Sequence, residues 1–424
     1  MKKIKIISLL ILLAIVFAGI SSCKKDDNSS DDPKSLVLGV ILPLDQEKGL
    51  LRENALRLAI DEINNAGGIG NGYKIELVVR SSAGPNRELV AATTAQEIII
   101  QHNHVVGFIS SFSSSTIGII ENVSIPDHYP CISGSATSKS LSGISPYFNR
   151  LCPPDGFEAN VLSDRATFHG INSVAIAVEN GDAFSEDLAS SFQSAFGSGV
   201  TATVNFDIED PGYLNKINEL LTGNPEGLFI SMLNPSAFIK FFDMLEPVNT
   251  TFILCDGLNS SSLFQANIAQ ILGEINGHTK NFGAYPSADT TTAPYLYFKA
   301  ALWEKYNQKV ASYNAQFYDI GYLYAMAVEK ALMELGTADM KAFREKVNEY
   351  IRLVSHGNSG DPKVNSSQGW QAIKNACQLG GVDYIGASGN CDIDNEGNTI
   401  TAYSIFKVIK PGSEYAFEIV EIIP

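Results

Sequence analysis

From Leu36 onward the chain alternates short, β-rich apolar runs with longer stretches of helical periodicity, an order that restricts it to parallel sheets covered by helices on both faces. Residues 36–42 form a continuous apolar strand. Residues 51–66 follow as a helix with Leu51, Ala55, Leu58, Ala59 and Ile63 on one face and Gly67-Gly68 as its stop. Further strands are expected at 74–80, 104–109 and 129–133, with helices at 87–101 and 113–123 between them. The pattern then restarts after Cys152-Pro153-Pro154, with strands near 173–178, 201–206, 227–232 and 251–255. Paired prolines cannot propagate a helix, so they mark a crossing between two bodies of similar design. Residues 281–286 read as the crossing back. Long helices follow at 294–309, 315–335 and 339–354, and the tail holds strands at 403–409 and 416–423. The expected architecture is α/β: two lobes, each a mostly parallel sheet flanked by helices, joined by three crossing segments. Lobe 1 takes residues 36–152 and 283–398, and lobe 2 takes 153–282 and 399–424.

The segment before Leu36 reads as an address. Lys2, Lys3 and Lys5 precede an apolar run over 6–20, too short for a comfortable membrane span. Ile20-Ser21-Ser22-Cys23 resembles a bacterial lipobox, which implies cleavage of a leader at 1–22 and diacylglycerol on the Cys23 thiol; an ordinary secretory signal is the alternative. Residues 23–35 are polar and charged, as a flexible tether is. Nothing later reaches 18 uninterrupted apolar residues, so an exported chain held on the envelope by lipid is expected. Without residues 1–35 the chain carries 24 basic against 42 acidic side chains, and a body near −18 repels nucleic-acid backbones.

Five cysteines remain beyond Cys23. Cys377 with Cys391 would close a short, Gly-rich loop and is the first candidate disulfide; Cys131 with Cys152 is the second, and Cys255 reads as a buried thiol. No Cys-x-x-Cys spacing favours zinc or thioredoxin-like chemistry. No nucleophile elbow and no phosphate loop occurs. The cluster 67–72 follows a helix and precedes a strand, the reverse of a dinucleotide fingerprint, and reads as a turn. Six scattered histidines give no ligand set. Asp392-Ile393-Asp394-Asn395-Glu396-Gly397 starts like a calcium loop but has Tyr403 where a bidentate glutamate belongs, so a turn is expected. No metal or cofactor is implied.

The informative segment is Ser110-Ser111-Phe112-Ser113-Ser114-Ser115-Thr116, where a buried strand stops and a helix starts among hydroxyls. Free N–H groups and the positive helix end converge there, so an anion such as a carboxylate can be held without a lysine or arginine. Plain N-capping is the other reading. Ser133-Gly134-Ser135-Ala136-Thr137-Ser138 is a second such cluster after the next strand. Both lie at carboxyl ends of strands, where open parallel sheets place ligands.

The opening 37–44, then Asn54-Ala55 through Asp61-Glu62-Ile63-Asn64-Asn65-Ala66-Gly67-Gly68-Ile69, resembles the type I periplasmic solute-binding proteins, most of all the leucine, isoleucine and valine binding branch. The two hydroxyl clusters, Phe148-Asn149-Arg150, and Phe317-Tyr318-Asp319-Ile320 continue the likeness over nearly the whole chain beyond the tether. The resemblance implies an amino acid held between the lobes and handed to an ABC permease by a monomeric, non-enzymatic receptor. It places the ligand carboxylate on Ser113 and Thr137, with Ser114 and Ala136 in the same segments, and the ammonium on the Ser135 carbonyl and Asp256. Asp256 reads equally well as a cap of the helix after it. For the ligand side chain the resemblance points to Phe184, Leu233, Tyr313 and Lys48, where departures from the usual tyrosines put branched-chain preference in question. Phe184 reads equally as core, and Lys48 as a solvated lysine or as the partner of a distal acidic group. A sensor of the same fold that signals to a partner, and an envelope hydrolase using one of the serines, are the competing functions.

Overall fold

Strand β1 (Ser35–Leu42) is unbroken in its apolarity because it is buried on both sides: Leu36, Leu38, Val40 and Leu42 pack into one core, Val37 and Ile41 into another. The protein is seen here as a computed structural model that describes residues 34–246, 248–273 and 281–423; the leader, Cys23 and nearly all of the tether lie outside them. Strands β2 (Lys74–Ser81), β3 (Val105–Ser110), β4 (Cys131–Ser133) and β5 (Phe148–Arg150) complete a parallel sheet in the order β2-β1-β3-β4-β5. Between its strands run α1 (Glu47–Asn65), α2 (Arg87–Gln101) and α3 (Ser113–Ile119), the last continuing through a π-helical turn, Ile120–Ser124, into Ile125–Asp127.

The chain then enters a second unit through α4 (Asp155–Phe168), β6 (Val174–Glu179), α5 (Ala183–Phe196), β7 (Val200–Phe206), α6 (Tyr213–Leu220), β8 (Gly227–Ser231), α7 (Pro235–Met244), β9 (Thr251–Leu254) and α8 (Ala266–Gly273). Residues 281–286, read as a crossing from the sequence, are instead part of strand β10 (Asn281–Ser287), parallel to β9 and antiparallel to β14 (Ala402–Ile409). The Asn281 side chain fixes that position: its amide nitrogen donates to the carbonyls of Leu272 and Val408, and its oxygen accepts from the Val408 N–H at 2.8 Å. The second sheet therefore runs β15-β14-β10-β9-β8-β6-β7, with β15 (Ala416–Ile423) at its edge, and the chain leaves it after Ser287 rather than at Phe282.

Helices α9 (Ala293–Tyr306), α10 (Asn314–Glu334), α11 (Met340–His356) and α12 (Trp370–Leu379) return to the first unit and share the core of α1 and one face of the first sheet. A small sheet of β11 (Lys363–Val364), β12 (Asp383–Gly386) and β13 (Gly389–Asn390) closes that end. The second sheet has its own core around Val174–Val178, Phe229 and Phe252. Two lobes, each a mostly parallel sheet between helices, are the result. The 67–72 cluster is a turn, as expected: a side chain at Gly68 would meet the Tyr73 carbonyl oxygen at 2.1 Å, at a φ of +72° that favours glycine. Asp394 closes its own turn by accepting the N–H groups of Glu396 and Asn398.

The expected disulfides are not formed: all five described cysteines are buried free thiols. Cys131 packs on the α2 side of the first sheet and Cys152 in the core on its other side, so the sheet separates them. Cys391 turns its sulfur toward the Ser388 hydroxyl and the Gly389 carbonyl, while Cys377 sits on α12.

Candidate functional site

The carboxyl ends of β3 and β4 and the segment after β1 meet the second lobe in a small cavity. The first lobe lines it with Lys48, Arg52, Phe112, Ser113, Ser135, Ser312 and Tyr313; the second lines it with Phe184, Leu233, Asp256, Gly257 and Asn259. As it stands the cavity leaves about 20 Å³ of free space, room for about one water, so it must widen to admit a solute of amino-acid size. A wider groove of about 660 Å³ shares Lys48, Asn259 and Ser312 with it.

The hydroxyl segments are built as a network. Ser111 Oγ lies 3.2 Å from Ser135 Oγ, and the Ser133 and Ser135 hydroxyls both donate to the Ser111 carbonyl. Ser113 Oγ accepts the Ser138 N–H at 3.1 Å and lines the cavity. Helix α3 carries no side-chain cap: Phe112 stands at the N-cap with extended backbone, so the run of serines does not exist to cap the helix. That leaves the positive end of the helix facing the cavity beside the Ser113 hydroxyl.

The loop after β4 is held by Arg150, which is fully buried. Its Nη1 donates to the carbonyls of Ala136 and Ser138 at 2.9 and 2.8 Å, its Nη2 to the Ser142 hydroxyl, and its Nε to Asn398 Oδ1. Ala136 and Thr137 are buried and do not line the cavity, nor does Ser114. The Thr137 carbonyl accepts the Asp155 N–H, tying this loop to the first crossing, and the Thr137 side chain lies against the buried Asp155 carboxyl.

Across the cavity, Asp256 does not cap its short 3-10 helix; Cys255 stands at that N-cap without a side-chain bond. Asp256 Oδ2 accepts the Tyr313 hydroxyl from the opposite lobe, and the Asp256 carboxyl also meets the Glu158 carboxyl behind it. Behind it, Glu158 Oε1 accepts the Asp256 N–H at 2.8 Å. Burial, then the charges of Asp256 and Asp155, push the Glu158 carboxyl well above the ordinary range. Burial raises Asp256 as well, but the Tyr313 hydroxyl, Lys48 and Arg52 all favour its charged form. Of this pair, Glu158 holds the proton and Asp256 the charge.

Lys48 and Arg52 stand four residues apart on one face of α1, both turned into the cavity. Lys48 Nζ donates to the Gly257 carbonyl at 3.3 Å across the cleft and sits 5.1 Å over the Phe112 ring. It is therefore not a solvated loop lysine. Arg52 donates from Nη1 to Ser111 Oγ at 2.6 Å and stacks 5.2 Å over Tyr313. Burial, with Arg52 beside it, pulls Lys48 down to about 8, and burial pulls Arg52 down to about 10. Tyr313, at the start of α10, has a φ of +67°, a left-handed conformation uncommon for a tyrosine.

Seven of the ten residues expected at the site line one cavity; Ser114, Ala136 and Thr137 sit behind it. Phe184 belongs both to the second core and to the cavity wall. Arg52, Phe112, Gly257, Asn259 and Ser312 were not anticipated. The signal for Arg52 was its spacing from Lys48, hidden because the helix reads as starting at Leu51, whereas it starts at Glu47.

Solved structures show the same fold. The branched-chain amino acid transporter substrate-binding protein LivJ of Streptococcus pneumoniae, in complex with isoleucine, superposes with a TM-score of 0.70 at 18% identity, over 91% of this chain and 99% of that one. The leucine-binding protein LivK of Thermotoga maritima gives 0.68 at 18% identity, over 92% and 98%. An ABC transporter solute-binding protein of R. palustris, in complex with 4-hydroxybenzoate, gives 0.68 at 16% identity, over 92% and 97%. In sequence the chain is 28% identical over 167 residues to Glutamate receptor 3.1 of Oryza sativa subsp. japonica, and 24% identical over 220 residues to Glutamate receptor 3.7 of Arabidopsis thaliana. Those matches cover 39% and 50% of this chain but 17% and 23% of the receptors, so the chain spans less than a quarter of the length of these relatives. Residues 51–410 match the family model described as the receptor family ligand binding region, and the chain belongs to that family.

Proposed function

We propose that the protein is an extracytoplasmic solute receptor that captures an amino acid, or a close carboxylate relative, between its lobes for ABC-type uptake. The observation that carries this reading is the opposition of Ser113 and Ser135 at the end of the first sheet to Asp256 on the second lobe, across one small cavity. Ser113 and the uncapped end of α3 receive the carboxylate; the Asp256 carboxylate and the Ser135 carbonyl receive the ammonium. Each charge-assisted bond contributes ~1.5–3 kcal/mol net, so three or four supply much of the ~8 kcal/mol of a micromolar complex. A ligand that touches both lobes only when they meet shifts the hinge toward closure. No chemistry on the ligand is needed: the Ser113 hydroxyl is paired with a backbone N–H, and a nucleophile would require a general base beside it.

The anchor belongs to the same reading: Cys23 carries the lipid and residues 24–34 the reach to the membrane. Among the described residues no helix is long and apolar enough to cross a membrane. The plant receptor relatives favour one alternative, a sensor that passes closure to a partner protein instead of delivering the solute.

Calorimetric titration of the protein with the amino acids tests the reading. A best ligand in the micromolar range is expected, and Ser113→Ala and Asp256→Asn each weaken it by about tenfold or more. Unchanged affinity in both variants would refute the site. A permease and ATPase pair encoded beside the gene would favour uptake, and a neighbouring kinase would favour sensing.

A further inference from the structure

Charge in the cavity does not close with a simple zwitterion. Lys48 and Arg52 both line it, and neither takes part in an ion pair among the described residues. Lys48 has one neutral acceptor, the Gly257 carbonyl; Arg52 has one, the Ser111 hydroxyl, and its buried Nε has none. Asp256 acts on both, and Asp182 on Lys48, through charge alone, and the oxygens of these carboxylates bond other groups. Asp256 holds Tyr313 with one oxygen and, in the reading above, the ligand ammonium with the other. Asp182 caps α5, accepting the N–H and hydroxyl of Ser185. Arg87, the third cation against Phe112, faces Asp45 at 3.5 Å and lies outside the cavity. Among the lining side chains two cations face one carboxylate, an excess of one positive charge at the cavity wall, while Asp182 acts on Lys48 from outside it. A zwitterion carries no net charge and preserves that excess; a ligand with one further carboxylate removes it.

We propose that the solute carries a second acidic group, a dicarboxylate in which one carboxylate meets Ser113 and the α3 end while the other docks between Lys48 and Arg52. The claim rests on the solute-receptor reading and narrows it. The i,i+4 spacing of the two cations on one helix face presents an ammonium and a planar guanidinium fork to a single carboxylate, an arrangement that suits anion recognition. Phe112, Phe184 and Leu233 line the same cavity and supply its apolar wall.

Calorimetry on the purified protein with L-glutamate, L-aspartate, L-glutamine, L-leucine and glutarate separates the possibilities. An acidic ligand binding at least about tenfold tighter than glutamine is expected, and Lys48→Gln should reduce that acid-over-amide ratio by about tenfold. Preference for glutamate or aspartate over glutarate identifies an acidic amino acid, whose net charge of −1 matches the excess; glutarate binding as tightly as either would show that the ammonium contributes nothing and overturn the charge match. Leucine or glutamine binding as well as the acids would overturn the second-anion claim and leave the amino-acid reading standing. An acid-over-amide ratio unchanged in the Lys48→Gln protein would overturn it too. Binding of none of the five would overturn this claim and the reading beneath it together.

Discussion

Lys48 shows how burial sets the behaviour of a single residue. Burial and the adjacent Arg52 charge pull it to about 8, Arg87 acts in the same sense, and Asp256 and Cys255 oppose them. Below that pH it is a cation and above it neutral, so affinity for an anionic ligand is greatest below about 8 and falls by up to about tenfold per pH unit above it. Titrations at successive pH values check this, and the Lys48→Gln protein should lack that fall. Stability moves the other way. The unfolded lysine keeps its proton to about 10.5 while the folded one releases it near 8, so this group adds stability as pH rises between those values. The difference in Tm between wild type and Lys48→Gln across that window isolates the contribution. The cysteines offer a second check at this scale. Burial pushes the Cys131, Cys152 and Cys377 thiols up to about 12, so none should react with a thiol reagent in the native protein. Denaturation without reductant should expose five thiols beyond Cys23, and fewer would reveal a disulfide.

At the scale of elements, the strands legible in the sequence are those buried on both faces. β1, β3, β6 and β8 read as continuous apolar runs because each position meets a core. β10 was illegible for the opposite reason. Its Asn281, Gly283 and Pro286 look like a linker, and its place depends on bonds from the Asn281 side chain to β14, 127 residues away. β5 and the small third sheet are too short to carry periodicity. The two hydroxyl clusters were legible because strand-end serines before a helix are a local pattern; Arg52 was not, because its role depends on where α1 begins. The loop holding Ala136 and Thr137 depends on Arg150, another residue whose task only the fold reveals. Arg150→Met should leave its acceptors in the 136–142 loop and Asn398 unsatisfied and lower stability by on the order of 3 kcal/mol or more, read as a fall in Tm. An unchanged Tm would show that the loop holds itself.

For the whole molecule, the lobes touch through hydrogen bonds that cross the cleft. Tyr313 reaches Asp256, Lys48 reaches Gly257, the Ser312 hydroxyl donates to Asn259 Oδ1, and Ser138 and the Ser140 N–H reach Asp187. In the proposed receptor such bonds would form as the lobes close on a ligand. Tyr313→Phe removes one bond and leaves Asp256 short of a donor, so ligand release should quicken by about tenfold in a stopped-flow displacement experiment. Central to the account is a carboxylate-bearing solute gripped by both lobes at once. A crystal structure of the protein with its best calorimetric ligand tests that most directly. The ligand carboxylate is expected within hydrogen-bonding distance of Ser113, with a second contact from the same molecule on Asp256. A ligand bound to one lobe alone, or seated in the outer groove away from Ser113, would contradict it.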